Sequence, residues 1–377
     1  MVVVIALDSF KGSLTATEAC ECVAAGFREV GVASALQIVP MADGGEGTAD
    51  ALVAAGGGAW VTVDDVVGPL PDQRLSAEFG WLPSTRVAIV EMARASGLPL
   101  LTEDERNPLL TTTFGTGQIL AQAQVQGAKE ILLTLGGSAT VDGGTGAARA
   151  LGWQFLDSCG HSLPLGGGYL RYLHTLSAPD QEVSCTVKAL CDVDNPLCGP
   201  NGAAAVYGPQ KGATPAMVEV LELGLGRLGE VVRRERNIDV SRIPGAGAAG
   251  GFGAGAVAFL GAQLVPGVDT VADAAGLEAA LDGADWVVTG EGKLDGQSLQ
   301  GKVVSGVLRR AKRHGARVAV LCGRLALSAE RCREAGLDWA SGCAPVDMPD
   351  EEAFRCARTL LTAEARALAE FVSVRDA

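Results

Sequence analysis

Residues 133–153 read LTLGGSATVDGGTGAARALGW. An apolar run from Ile131 to Leu135 enters this stretch, and a helix-like run from Gly146 through Leu151 leaves it. Between them, five of the eleven positions from Gly136 to Gly146 are glycine. Glycine at that density loses conformational entropy on folding, so a chain keeps it where the backbone turns sharply or lies close to something else. The pattern predicts a strand, a glycine loop and a helix. Such a junction leaves backbone N–H groups unpaired at a helix start, where they suit a phosphate or carboxylate. A tight strand-to-helix turn without any ligand has the same pattern, so the rest of the chain must decide.

Working outward, short runs rich in Val, Ile and Leu recur between helix-like segments at Val2–Leu7, Leu36–Pro40, Trp286–Thr289, Val318–Cys322 and Leu337–Ala340. That alternation indicates a parallel sheet covered by helices. All five runs lie near the two ends of the chain. The centre differs: between Thr62 and Arg94, three extended stretches with turns at VGPLPDQ and LPST suggest antiparallel pairing, and buried runs follow at Ile131–Leu135 and Thr186–Leu190. The reading is an α/β protein in which a parallel-sheet domain is built from both chain ends, residues 1–64 and 286–377. A second α/β domain, residues 65–285, is inserted into it. The segment Glu351–Val372 carries Ala353, Cys356, Ala357, Leu360 and Leu361 at helical spacing and predicts a packing helix with one solvated face.

A length of 377 residues fits two cores better than one. With 48% hydrophobic and 20% charged residues the chain is globular, and a formal charge of −14 sets nucleic acid aside as a partner. Any anionic ligand must therefore be held by local donors. MVVVIALDSF lacks the basic leader of a signal peptide. The uncharged stretch Ile243–Val268 is rich in Gly and Ala and bounded by Pro244 and Pro266, so it reads as a buried helix of a water-soluble protein, with no membrane partner. Ten cysteines without a CxxC fit free thiols in the cytoplasm.

Two phosphate signatures nearly match. GAGAAG at 245–250 has dinucleotide spacing but does not follow an apolar strand, which leaves a nicotinamide-dependent oxidoreductase weakly supported. GQSLQGKV at 296–303 has P-loop spacing as far as Lys302, then places Val303 where a Ser or Thr would touch Mg²⁺. Polar residues at strand ends carry more weight, because the carboxyl ends of parallel strands form the rim where ligands bind. Four runs end in such clusters. They are DSFKGS with Asp8, Ser9 and Lys11; MADGGEGT with Asp43 and Glu46; CDVDNPLCG with Asp192, Asp194 and Asn195; and GEGKLDGQS with Glu291, Asp295 and Ser298. Turn and capping chemistry uses the same residue types, but four occurrences together suggest phosphoryl transfer with Mg²⁺ on oxygen ligands. Only His161, His174 and His314 are present, none clustered for zinc by sequence, and no GxSxG occurs.

These segments resemble the bacterial glycerate kinases that make phosphoglycerate from glycerate and ATP. The matching stretches are DSFKGSLTATEA, PMADGGEGTADAL, EMARASGL, RNPLLTTTFGTGQIL, LGGSATVDGGTGAARALG, CDVDNPLCGPNGAAAVYGPQKGA, GAGAAGGFGAGAVAFLGAQLVPG and TGEGKLDGQSLQGKVVSGV, from residue 8 to about 307. The departures are Val303 and Val304, where Ala-Pro is expected, and Val141, where Asn is as familiar. The resemblance implies a two-domain α/β kinase, with a Rossmann-like domain assembled from both ends, an inserted domain and a cleft between them. It implies ATP, Mg²⁺ and D-glycerate, with 2-phosphoglycerate favoured over 3-phosphoglycerate as product. A non-catalytic nucleotide or sugar-acid binder on the same fold, and a homodimer as well as a monomer, stay open.

Chemistry then assigns roles. Lys11 and Lys302 would neutralise phosphate or carboxylate charge, and Asp43, Glu46 and Glu291 would meet Mg²⁺. Gly136 and Gly137 would let backbone approach an anion, with Ser138 and Thr140 as hydroxyl donors. Ser9, Asp142, Asn195, Asp295 and Ser298 complete the binding set. Asp192 is the first choice for the base that accepts the glycerate hydroxyl proton, and Asp194 the second. Asp8, placed with Lys11 among the catalytic residues, and Asp295 come next.

Overall fold

The structure, a computed structural model, describes residues 1–296, 298–299 and 302–375. Its architecture is α/β, in two compact units: residues 1–43, 50–57 and 267–377 form the first, and residues 44–49 and 58–266 the second. The sequence reading cut the chain at 65 and 285. Strand Ala59–Val67 pairs antiparallel with Arg74–Leu82 on both sides of a register shift between Val63 and Val66, so a cut at 65 would divide it. At the other end, helices Gly267–Ala274 and Leu277–Leu281 pack on Val303–Arg313 and belong with the first unit.

In the first unit the five terminal runs form one parallel sheet, ordered Trp339–Gly342, Arg317–Cys322, Trp286–Gly290, Val2–Leu7 and Ala35–Ile38. Alternation along Val2–Leu7 sends Val3, Ile5 and Leu7 into a core shared with Phe27, Leu361, Leu368 and Val372. Those residues come from helices Ala16–Val30 and Asp350–Arg375, while Val303–Arg313 packs on the sheet as well. Local sequence fixes the first helix at both ends. Thr15 and Glu18 form a reciprocal capping box at 3.2 and 3.0 Å, and Gly31 closes the helix at φ 72°. The register pairs Leu7 with Gly290, so Asp8 and Glu291 leave the sheet at the same rim.

The second unit holds a six-stranded mixed sheet. Its order is Gln263–Val265, Thr186–Leu190, Glu130–Thr134, Val87–Glu91, Arg74–Leu82 and Ala59–Val67. The first four are parallel and the last two continue antiparallel, as the turn residues suggested. Thr134 pairs with both Glu91 and Leu190, which aligns the carboxyl ends of three strands. The uncharged stretch Ile243–Val268 is not one helix. Ala249, Gly250 and Gly251 adopt φ of 53°, 67° and 88°, so regular helix begins only after them and ends at Leu260, before strand Gln263–Val265. Among the described residues no helix is long and apolar enough to cross a membrane.

Those left-handed residues explain much of the glycine in the opening stretch. A Cβ on Gly250 would lie 2.0 Å from the Thr140 carbonyl oxygen, one on Gly255 would lie 2.2 Å from the Gly143 carbonyl oxygen, and one on Gly144 would strike Phe252. Backbone therefore packs directly on backbone between the two glycine segments. Gly250→Ala should destabilise the protein by about 3 kcal/mol or more, combining a left-handed alanine with a backbone clash. Gly261→Ala, at φ 61° but in open space, should cost about 1 kcal/mol. Chemical denaturation of both variants checks this, and equal losses would contradict the packing account.

Candidate functional site

At the rim of the first unit three carboxylates interact. Asp8 follows its strand directly and donates its backbone N–H to the Gly290 carbonyl at 2.9 Å. Its side chain is buried and accepts a hydrogen bond from the Ser9 N–H at 2.7 Å. Burial, reinforced by the negative charges of Asp43 and Glu291 and opposed by Ser9 and Lys11, pushes the Asp8 carboxyl up to about 7. Glu291 is raised too, first by burial and then by Asp295 and Asp43, against a hydrogen bond from Ser298 and the charge of Lys302. Its Oε1 is buried without a hydrogen-bond partner among the described residues. Ser298 is a positioning group, receiving the Asp295 N–H at 2.9 Å and donating to the Lys293 carbonyl at 3.3 Å. Lys302 stands at the start of helix Val303–Arg313. Gln297, Gln300 and Gly301 of the P-loop-like segment lie outside the described residues.

This donor set suits a hard cation. It consists of carboxylate oxygens, one of them an orphaned buried atom, in a place where burial and like charge both disfavour ionisation until positive charge arrives. Asp8, read from the sequence as catalytic, stands in one cluster with Asp43 and Glu291. Glu46 is an exposed residue of the second unit.

In the second unit the glycine loop leaves strand Glu130–Thr134 at the aligned carboxyl ends. Asp142 is fully buried, and its carboxylate accepts from Thr113 N (2.8 Å), Thr113 Oγ1 (2.9 Å), Gly144 N (3.1 Å) and Gly146 N (3.2 Å). Burial still raises its pKa against those bonds. The geometry makes Asp142 the organiser of the loop, with its acceptor capacity engaged by the protein. Gly136 and Gly137 are likewise fitted to the protein. A Cβ on Gly136 would meet Gly45 Cα at 2.9 Å, and Gly137 sits at φ 73° beside Ala93. Ser138 and Thr140 are buried, and among the described residues the Thr140 hydroxyl has no hydrogen-bond partner.

Two functional candidates here are not singled out by the sequence pattern, although both lie in segments that match the family. Glu91, at a strand end, is buried, accepts from Ala49 N at 3.0 Å and pairs with Arg94 at 2.9 Å. Lys211 is buried and donates from Nζ to Ser138 Oγ and to the Thr140 carbonyl, each at 2.7 Å. Its signal was isolation, since no other charged residue lies between Asp194 and Glu219.

Asp192 and Asp194 are exposed beyond strand Thr186–Leu190. They add to the burial that pushes the Cys191 thiol up. Asn195 is used internally at both ends of its amide, donating to the Asn201 carbonyl at 2.9 Å and accepting from the Tyr207 hydroxyl at 2.7 Å. One expectation needs correction: His161 does stand with Asp157 and Cys159, their ligand atoms within 4.8 Å of one another. That trio is an exposed turn in which Asp157 Oδ1 accepts the N–H groups of Cys159 and His161 at 2.8 and 2.9 Å.

Comparison with known proteins bears on what these rims do. The glycerate kinase family pattern matches residues 3–373. A glycerate kinase of Halalkalibacterium halodurans is 44% identical over 370 residues, 97% of each chain. The glycerate 2-kinase of Escherichia coli K12 is 42% identical, covering 90% of this chain and 89% of its own. Among solved structures, a protein assigned as glycerate kinase 2 in Salmonella typhimurium LT2 superposes with a TM-score of 0.90 at 41% identity, over 100% of this chain and 99% of that one. Similarity of this depth along the whole length means that the chain belongs to the glycerate kinase family and is a kinase.

Proposed function

We propose that the protein transfers the γ-phosphoryl group of ATP to the 2-hydroxyl of D-glycerate, giving ADP and 2-phosphoglycerate. The observation that carries this reading is the pair Asp8 and Glu291 at one strand rim, both raised in pKa by burial and by the negative charge of Asp43, with the charges of Lys11 and Lys302 acting on them. Phosphoryl transfer depends on positioning and charge neutralisation, and this rim supplies both. Asp8, Asp43 and Glu291 are the residues that would hold Mg²⁺, which when bound offsets the negative charge of the nucleotide phosphates. Lys11 and Lys302 add positive charge that a protein of net charge −14 must provide locally. Ser9 and Asp295 flank this set.

In the second unit, Ser138 and Thr140 offer hydroxyls to an anionic oxygen of a substrate, with Gly136 and Gly137 shaping the loop beneath them. Asp192 takes the proton of the attacking hydroxyl as its oxygen bonds to phosphorus and ADP leaves, and Asp194 is the alternative acceptor. All ten cysteines are unpaired, which suits a reducing cytoplasm.

Incubation with ATP, Mg²⁺ and D-glycerate should release ADP, and ³¹P NMR should show 2-phosphoglycerate. A 3-phosphoglycerate resonance would move the acceptor to the other hydroxyl, and no ADP at all would leave a binding protein. Asp192→Asn should lower kcat by about 10²- to 10⁴-fold with little change in either KM. A near-normal kcat would shift the base to Asp194 or Asp8. Lys11→Ala and Lys302→Ala should each reduce kcat/KM by about a hundredfold while the melting temperature holds. Unchanged kinetics in both would make them ordinary surface lysines.

A further inference from the structure

Lys211 is a buried amine with no carboxylate bonded to it among the described residues. It lies in a single 3-10 turn, Pro209–Lys211, 2% exposed, and both of its hydrogen bonds go to neutral oxygens, Ser138 Oγ and the Thr140 carbonyl. The charge that acts on it is Asp142, whose carboxylate is already engaged by Thr113, Gly144 and Gly146, and among the described residues no ion pair joins the two. The helix packed on the turn, Ala203–Tyr207, carries no charged residue, and its Tyr207 hydroxyl donates to Asn195. Arg106, whose backbone approaches Gly212, pairs with Glu103 at 4.0 Å.

An ammonium group removed from water without a counter-ion is costly, and a tie between two loops can be made by neutral donors. What a buried amine adds to such a tie is the capacity to take up a proton, which a neutral donor lacks. Because Ser138 Oγ accepts from Lys211, its own O–H is turned away from the lysine and remains available as a donor. Among the described residues that hydrogen has no acceptor.

Resting on the reading of residues 136–142 as an anion-binding loop, we propose that Lys211 is a positioning residue that acts through Ser138: its charge orients and polarises the Ser138 hydroxyl toward an anionic substrate oxygen, carboxylate or phosphate, and the bound anion in turn holds the lysine protonated. In the free protein burial lowers the lysine to about 7, only partly offset by Asp142. The sign of the linkage follows. At pH 8 most free molecules carry the neutral amine, so anion binding draws a proton from solvent onto Nζ.

The test is calorimetric titration of the intact protein at pH 8, in two buffers of different ionisation enthalpy, with D-glycerate and separately with MgATP. Proton uptake should accompany one of the two ligands, and this arm tells carboxylate from phosphate. Lys211→Met should lose the uptake and weaken that ligand at least tenfold. Lys211→Arg, which cannot give up its proton, should keep the affinity without the uptake. Ser138→Ala should weaken the same ligand. No uptake by the unaltered protein with either ligand overturns the proposal even if Lys211→Met fails to fold, and so does a Lys211→Met protein that keeps uptake and affinity. If Ser138→Ala weakens binding while Lys211→Met does not, the anion-binding loop stands and the role of Lys211 falls. If Ser138→Ala binds both ligands normally, the loop reading falls and the proposal with it.

Discussion

A carboxylate taken out of water must be met by hydrogen-bond donors or by positive charge, and this protein contains both solutions. Asp142 is met entirely from within by two N–H groups of its own loop and by the N–H and hydroxyl of Thr113. Such a carboxylate is finished business for the fold. It holds the glycine loop in one shape and has little left to offer a ligand. Asp8 and Glu291 are the opposite case. They too are removed from water, but they face Asp43 and each other with few donors, so their ionised forms are disfavoured. In the function proposed above, the missing positive charge comes from outside, as the metal ion that accompanies the nucleotide.

The parallel sheets make that arrangement available. Strands that pair in parallel end on the same side, so the residue after each strand meets its counterpart from the neighbour. Asp8 follows Leu7 and Glu291 follows Gly290, and those two strand ends are paired, so a one-residue slip of register would separate the charges. The second unit uses its rim differently, placing a loop whose glycines let backbone lie against backbone. Several of those glycines answer to close packing or to left-handed turns within the protein. The surface that a ligand could use is then set by Ser138 and Thr140, with a buried lysine beneath them.

How far this was legible in the sequence varies with the physics involved. Strands such as Val2–Leu7 and Val318–Cys322 were plain because a strand buried on both faces must be apolar throughout. The strand-end clusters DSFKGS and GEGKLDGQS stood out for the complementary reason, as charge following directly on such runs. Boundaries were less clear. Residues 267–281 look like any amphipathic helices, and only packing on Val303–Arg313 decides to which unit they belong. The left-handed turn at Ala249–Gly251 was hidden because Gly and Ala also populate helices, and the clash that dictates it lies more than a hundred residues away at Thr140. Lys211 was hidden because burial of a long side chain depends on tertiary contacts that no local pattern records. Asp142 looked like a ligand-binding acid because residue type alone does not show that its donors are already in place.

The account therefore stands on the ionisation of Asp8. Carboxyl ¹³C shifts of aspartate-labelled protein, with Asp8 assigned by Asp8→Asn, would give its pKa directly in the absence and presence of MgATP. The account predicts titration near 7 in the ligand-free protein and a fall toward the ordinary carboxylate range, about 4, once MgATP is bound. An Asp8 that titrates near 4 in the free protein, or that keeps its raised value with MgATP bound, would contradict it.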